Sequence, residues 1–108
     1  MRRFYFIIFK KTFINQILAG EKVSTIRLSD GFQVGGVYPV KCRWNDPPLG
    51  FIKIVSREKK LFSELGEEDA WLEGFSSAEE LKEALRECYG NISDETEVFI
   101  YRFKLLKS

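Results

Sequence analysis

Four side chains that could take part in chemistry lie within six consecutive residues: Lys22, Ser24, Thr25 and Arg27, in the segment "GEKVSTIRL". Because the chain contains no histidine, an enzyme built from it would have to move protons with lysine, carboxylates or tyrosine. A lysine amine with its ordinary pKa of about 10.4 is a poor base at neutral pH, but burial among apolar side chains lowers that pKa. The segment is therefore either a solvated strand edge or a site.

A helix followed by a strand is predicted to position these side chains. The segment "KKTFINQILAG" has apolar residues at helical spacing, and we expect Thr12 to cap its start and Gly20 to end it in the left-handed conformation. The segment "KVSTIRL" then predicts a strand. Side chains alternate along a strand, so Ser24 is expected to face away from Thr25 and is not considered as a nucleophile.

The rest of the chain predicts strands joined by turns and two further helices. "RFYFIIF" predicts a first strand over residues 4–9, apolar on both faces and therefore central in a sheet. "VYPVKCRW" predicts a strand that Pro39 shifts towards a sheet edge, and "FIKIVSREKKL" and "TEVFIYRFKLL" predict two more. One helix is expected to end at Gly74, and the next to begin at a cap formed by Ser76 or Ser77.

This β-α-β-β-β-α-α-β order indicates an α+β fold rather than a parallel βαβ sheet. Five to six short strands with glycine-rich corners are expected to curl into a small, partly open β-barrel of mixed or antiparallel strands, with about three helices at its ends. A chain of 108 residues that is 44% hydrophobic is predicted to form a single domain over residues 1–108.

Composition excludes several classes of protein. No apolar run approaches the roughly 20 residues that cross a bilayer, and the N-terminal apolar run is shorter than the core of a signal peptide. We therefore expect a cytoplasmic protein without a membrane partner. Cys42 and Cys88 are expected to be buried thiols rather than a disulfide. Without histidine or paired cysteines, no metal site is expected.

The net charge of +1 is unevenly distributed, because residues 58–97 hold 13 of the 16 acids but only four of the 17 bases. The helices are therefore expected to be acidic and the sheet basic. Arg57, Lys59 and Lys60 lie near the end of one predicted strand. Such a basic face is either simply solvated or contacts an anionic partner such as RNA.

Two groups of motifs carry a resemblance to a known family. "ILAGEKVSTIR" is followed by "GFQVGGVYPV", and "DAWLEGFSSAEELKEAL" is followed by "CYG". A helix that ends in Gly-x-Lys and a strand that ends in Arg, here Gly20, Lys22 and Arg27, resemble the characteristic element of the ASCH domain, a PUA-like β-barrel. The resemblance extends from Phe4 to about Phe103 and implies this barrel fold, together with the RNA contacts attributed to ASCH domains.

Within that family, the chain is similar to a bacterial branch of amidohydrolases that remove the acetyl group from N(4)-acetylcytidine. The branch pattern Gly-x-Lys-x-x-Thr-x-Arg is matched by Gly20, Lys22, Thr25 and Arg27. The glutamate of the branch falls on Glu73 in "AWLEGF". The resemblance therefore implies a hydrolase that acts on a linear amide, with no metal and no cofactor.

Two departures from the branch pattern affect these assignments. Gly36 stands where many relatives carry an aspartate. Placing the glutamate on Glu73 also requires a one-residue length difference before "EELK", which leaves Glu68 and Asp69 as alternative carboxylates.

The resemblance gives each candidate catalytic residue a role. Thr25 would be the nucleophile, and Glu73, at the end of a helix, would act as the acid or base for the leaving nitrogen. Lys22 would be either the base that takes the threonine proton or a fixed cation that faces the oxyanion. The sequence does not choose between these two roles.

Candidate substrate-binding residues surround this triad. Arg27 is expected to orient a nucleobase carbonyl or to hold Glu73 in place. Four aromatic side chains are candidates for stacking on a base: Trp71, Phe75, Trp44 and Tyr38. The implied partner is a small-molecule nucleoside or a modified RNA. The alternative function is an RNA-binding module that uses the basic face of the barrel without catalysis.

Overall fold

Five strands and three α-helices make up the part of the chain that the computed structural model describes, residues 5–106. They are β1 (Ile7–Ile8), α1 (Lys11–Leu18), β2 (Ser24–Arg27), β3 (Val37–Lys41), β4 (Gly50–Leu61), α2 (Glu67–Leu72), α3 (Ala78–Tyr89) and β5 (Glu97–Leu106), with a 3-10 turn at Phe62–Glu64. The predicted order of elements is confirmed, although Phe4 of the first predicted strand lies outside the described residues. No helix in this range has the length and apolar character needed to cross a bilayer.

The strands form one sheet in the order β1-β3-β4-β5-β2, which curls into a half-barrel. β1 runs parallel to β3, and the other neighbours are antiparallel. The longest ladder joins β4 to β5 and contains a register shift between Ile54 and Ser56, an irregularity that increases local twist. The predicted α+β fold with a partly open barrel and three helices is therefore confirmed.

Two predicted strand positions are wrong. The first strand is not central but lies at the sheet edge, where Ile7 is buried and Ile8 is exposed. The strand that contains Pro39 is not at the edge but lies between β1 and β4. A proline is tolerated there because β1 pairs only with Val40 and Lys41, so the missing N–H falls just outside the paired segment.

Two apolar clusters hold the helices against the sheet. The first joins β1 and α1 to the middle of the sheet, and its most deeply buried members include Ile7, Ile14, Ile17, Ile52 and Tyr101. The second joins α2 and α3 to β2 and the other half of β5, and it includes Ile26, Phe62, Leu81, Leu85 and Val98. The seam between α1 and the pair α2 and α3 is where the site described below is found.

Helix ends follow the predicted signals with one exception. Gly20 has φ +80° and ends α1 as expected. Of the two candidate serines, Ser77 caps α3, and its Oγ accepts the Glu80 N–H at 3.2 Å. Thr12 does not cap α1, because the helix begins one residue earlier and its N-cap is Lys10, which makes no side-chain capping bond.

The ring of Tyr38 occupies the space beside Gly36. A Cβ at position 36 would lie 2.8 Å from Tyr38 Cε2, which is too close for any side chain unless the ring shifts. The Tyr38 hydroxyl accepts the Gln33 N–H at 2.8 Å, and its ring packs edge-on against Phe32 with 5.0 Å between ring centroids. Tyr38 is thus a residue of the first core cluster.

Two neighbouring positions on β4 test this core. Ile52 is 0% exposed, whereas Val55 is 49% exposed. Ile52→Ala should lower the free energy of unfolding by about 2–5 kcal/mol, because it leaves a cavity in a packed core. Val55→Ala should change it by no more than about 0.5 kcal/mol. Urea denaturation of both variants measures the difference, and equal losses would contradict the assigned facing of β4.

Candidate active site

A cavity of about 570 Å³ lies where β2 meets the start of α1 and the ends of α2 and α3. Its volume falls in the range typical of small-molecule sites, about 300–1,000 Å³. Five residues selected from the sequence line it: Lys22, Thr25, Arg27, Glu73 and Phe75. Side chains separated by about 50 residues in the chain are therefore brought to one place.

The turn between α1 and β2 positions Lys22. After Gly20 ends the helix, the N–H groups of Glu21 and Lys22 both donate to the Gln16 carbonyl, at 2.9 and 3.2 Å. The next N–H, that of Val23, donates to the Leu72 carbonyl at 3.0 Å. This last bond ties the start of β2 to the end of α2, and so places Lys22 beside the residue that follows Leu72.

That residue is Glu73, the C-cap of α2. Lys22 Nζ lies 3.1 Å from Glu73 Oε1 and donates a second hydrogen bond, also 3.1 Å, to the Glu73 backbone carbonyl. The two side chains are only 3% and 5% exposed. A carboxylate is unfavourable at the negative end of a helix, and the ammonium offsets this by bonding both the carboxylate and the terminal carbonyl.

Burial lowers the pKa of Lys22 from its ordinary value. Desolvation is the main cause, and the nearby positive charge of Arg27 lowers the pKa further, whereas Glu73 opposes the shift. Lys22 Nζ also lies 4.9 Å from the centroid of the Phe13 ring. The lysine predicted as a base thus stands in the low-dielectric environment that such a base requires.

Thr25 and Arg27 lie on the same face of β2, as the alternation of strand residues requires. Arg27 Nε donates to Thr25 Oγ1 at 3.2 Å, and Arg27 Nη2 donates to the Ile8 carbonyl at 2.9 Å. The guanidinium also lies over the Phe9 ring, 5.0 Å from its centroid. Burial lowers the pKa of Arg27 from its ordinary value.

Arg27 differs from Lys22 in having no ion-pair partner within the described part of the chain. Among residues 5–106, no carboxylate oxygen lies within 4.0 Å of its guanidinium nitrogens. The expectation that Arg27 holds Glu73 directly therefore does not match this arrangement, in which Arg27 contacts Thr25 instead. Lys22, Arg27 and Glu73 together give this part of the cavity one more positive charge than negative.

The aromatic candidates separate into two groups. Phe75 lines the cavity and packs edge-on against Phe13, with 6.0 Å between ring centroids. Trp71 is 61% exposed, and its Nε1–H donates to the Ser76 carbonyl at 3.3 Å. Trp44 follows β3 and is 71% exposed. Neither tryptophan lines the cavity, so the structure does not bring them to the other site residues.

The alternative carboxylates also lie elsewhere. Asp69 accepts the Gly66 N–H at 2.9 Å and pairs with Lys60 at 3.2 Å, so it stabilises the start of α2. Glu68 is exposed and lies 3.9 Å from Arg102. Of the three carboxylates considered from the sequence, Glu73 is the one that lines the cavity.

The three cations at the end of β4 do not form an uncompensated positive patch. Each lies beside a carboxylate: Arg57 beside Asp30, Lys59 beside Glu97 at 3.3 Å, and Lys60 beside Asp69 at 3.2 Å. The partners come from the turn after β2, from the facing residues of β5 and from α2. Counting charges along the sequence could not predict this neutralisation, because the pairing of these cations with carboxylates depends on which elements are neighbours in the fold.

The cavity residues that received no site role from the sequence include Phe9, Phe13, Cys88 and Tyr89. Cys88 and Tyr89 belong to the "CYG" segment, which supported the family resemblance. That segment was the sequence signal from which their place at the cavity could have been predicted. Cys88 is exposed rather than buried as expected, whereas Cys42 is half-buried, and both are free thiols. Burial raises the pKa of Tyr89, and the nearby Arg27 opposes this shift.

Comparison with known proteins gives a family match and structural neighbours. The sequence profile of the ASCH domain matches residues 5–107. A crystal structure of an ASCH domain from Lactobacillus crispatus JV V101 is similar with a TM-score of 0.80 and 22% identity, over 96% of this chain and 78% of that chain. The hypothetical protein PH0355 is similar with a TM-score of 0.73 and 20% identity, over 91% of this chain and 94% of that chain.

A more distant neighbour is a mutant of the Zymomonas mobilis protein ZmASCH, with a TM-score of 0.65 and 11% identity, over 91% of this chain and 65% of that chain. A search of curated protein sequences finds no match. At these identities the structural neighbours show the fold alone.

The buried ion pair makes a prediction about stability. Lys22→Met should lower the free energy of unfolding by about 3–5 kcal/mol, because it leaves the Glu73 carboxylate buried without its cation. Glu73→Gln should cost less, because the lowered pKa of Lys22 lets the amine give up its proton. Urea denaturation of both variants and of the double variant forms a double-mutant cycle. The double variant should be more stable than Lys22→Met alone, and simple additivity of the two losses would contradict the pairing.

Proposed function

Since this chain belongs to the ASCH domain family, we propose that it is a metal-independent amidohydrolase that deacetylates N(4)-acetylcytidine or a related N-acylated nucleoside. One observation carries the proposal. Lys22, Thr25 and Glu73 line a single cavity, and the lysine and the glutamate share a buried contact of 3.1 Å. These are the base, nucleophile and acid that amide hydrolysis without histidine requires.

The Lys22–Glu73 contact provides the path for the proton that moves in the first step. In the reactive form Lys22 is a neutral amine and Glu73 is a carboxylate. The amine takes the hydroxyl proton of Thr25 while Oγ1 attacks the carbonyl carbon of the amide. The resulting ammonium passes this proton to the Glu73 carboxylate, which gives it to the leaving nitrogen as the C–N bond breaks, so the pair ends as neutral amine and carboxylate again.

The second step returns the enzyme to its starting state. Water attacks the acyl–threonine ester, the C–Oγ1 bond breaks, and the products are the free carboxylic acid and the threonine hydroxyl. Arg27 assists both steps, because its Nε–H is already directed at Thr25 Oγ1, which carries negative charge as it loses its proton before attack and again as it leaves the ester. The cycle consumes one amide and one water and needs no other reactant.

The walls of the cavity suit an uncharged aromatic substrate. Phe9, Phe13 and Phe75 offer rings around the polar cluster, and stacking with a few hydrogen bonds is sufficient to hold a pyrimidine. A nucleoside carries no phosphate, so it does not require the extended positive surface that a nucleic acid needs.

The alternative function, RNA binding without catalysis, has less support. The cations at the end of β4 that suggested it are each paired with a carboxylate. An RNA-binding module would use Lys22 and Arg27 for their charge, but it has no use for a buried hydroxyl at position 25. RNA binding therefore stays the second candidate and is an outcome of the next experiment.

Removal of one hydroxyl tests the proposed function. Wild-type protein should release cytidine from N(4)-acetylcytidine in the presence of a chelator, and Thr25→Val, which keeps the side-chain volume, should lower kcat by at least about 1,000-fold. Thr12→Val removes a second hydroxyl that lines the same cavity and should stay within about twofold of wild type. Cytidine release is measured by chromatography. Equal rates for wild type and Thr25→Val would overturn the proposal, and salt-dependent RNA binding without turnover would favour the alternative.

The pH dependence of kcat separates the two roles of Lys22. If the neutral amine is the base, kcat rises with pH and reaches a plateau above the pKa of Lys22, which burial places below its ordinary value of 10.5. Arg27→Gln removes a charge that lowers this pKa, so the rising limb should move to higher pH in that variant. Stopped assays over a pH series measure the rising limb in both proteins, and a kcat that falls instead as pH rises through the pKa of Lys22 would assign Lys22 the role of a fixed cation.

A further inference from the structure

Two polar groups that line the cavity keep hydrogen-bonding capacity that neither the Lys22–Glu73 ion pair nor the Arg27–Thr25 contact uses. Glu73 Oε2 is buried and has no hydrogen-bond partner among residues 5–106, although Oε1 of the same carboxylate is bonded to Lys22. The Arg27 guanidinium uses two of its five N–H groups, towards Thr25 and Ile8. Within residues 5–106, Glu73 Oε2 is therefore an acceptor without a donor, and the Arg27 guanidinium has N–H donors without acceptors.

We propose that this pair of groups recognises a secondary amide: Glu73 Oε2 accepts the amide N–H, and Arg27 donates to the carbonyl oxygen. The inference rests on the proposed function and narrows its substrate class to N-acyl compounds that keep an N–H on the scissile nitrogen. Tertiary amides and esters of the same acyl group are rejected, because neither has that hydrogen.

The energetic basis is the cost of an unsatisfied buried acceptor. A carboxylate oxygen removed from water and left without a donor is costly, and a substrate that cannot supply a donor leaves that cost in place. Sites built to hydrogen-bond one substrate group reject the analogue that lacks it by about 10⁴–10⁵-fold. By contrast, one added methylene changes recognition by only about 10–200-fold.

Arg27 and Glu73 suit the two ends of the amide that is cleaved, its carbonyl oxygen and its leaving nitrogen. Arg27 Nε contacts Thr25 Oγ1, so a carbonyl attacked by Oγ1 presents its oxygen to the same guanidinium. Glu73 contacts Lys22, and its carboxyl group is the one proposed to give a proton to the leaving nitrogen. The oxygen that accepts the substrate N–H thus belongs to the carboxyl group that later protonates that nitrogen.

Two substrates of equal size test the inference. N(4)-acetyl-N(4)-methylcytidine replaces the N–H with a methyl group, and N(4)-propionylcytidine adds the same carbon to the acyl group while it keeps the N–H. Relative to N(4)-acetylcytidine, kcat/KM should fall by at least about 1,000-fold for the methylated amide and by less than about 100-fold for the propionyl compound. Similar losses for the two would overturn the inference while leaving the hydrolase function intact.

A binding measurement separates this inference from the proposed function. Thr25→Val keeps both Glu73 and Arg27, so calorimetry with this variant measures recognition without turnover. It should bind N(4)-acetylcytidine at least about tenfold more tightly than the methylated amide. If wild type hydrolyses none of the three compounds, the proposed function fails, and the binding difference still decides the inference. Equal affinities would overturn it.

Discussion

The buried contact between Lys22 and Glu73 is the interaction on which the arrangement of the site depends. It joins the turn after α1 to the C-cap of α2, across 51 positions of sequence, and a backbone hydrogen bond from the Val23 N–H to the Leu72 carbonyl supports it. Buried ion pairs are often no more stabilising than apolar side chains of the same volume. The pair therefore matters more for where it holds Lys22 and Glu73 than for the net stability it adds.

Charge balance gives the cavity its chemical character. The Lys22 ammonium and the Arg27 guanidinium lie in surroundings dry enough to lower the pKa values of both groups, yet one carboxylate, Glu73, faces them. Aromatic rings contact both cations, Phe13 at Lys22 and Phe9 at Arg27. Such contacts stabilise a cation without neutralising it. The cavity consequently keeps an excess of donors that a ligand oxygen or a developing oxyanion can use.

The sequence predicted what depends on local pattern and missed what depends on strand neighbours. Thr25 and Arg27 share a face because a strand alternates, and Gly20 and Ser77 mark helix ends by their own chemistry. The position of β1 at the edge could not be read from its apolar run, because an edge strand beside a cavity is as apolar as a central one. Glu73 was found through the family resemblance, since no local pattern distinguishes it among the many glutamates of residues 58–97.

The alternation of side chains along β2 decides which of two adjacent hydroxyls lines the cavity. Ser24 and Thr25 are both buried, but Thr25 lines the cavity and Ser24 does not. The Ser24 hydroxyl has no hydrogen-bond partner within residues 5–106, whereas Thr25 Oγ1 accepts a bond from Arg27. Because a one-residue slip of β2 against β5 would exchange the two faces, the antiparallel register that pairs Thr25 with Tyr101 is itself part of the site. The half-barrel therefore places Thr25, and not Ser24, at the cavity by setting that register.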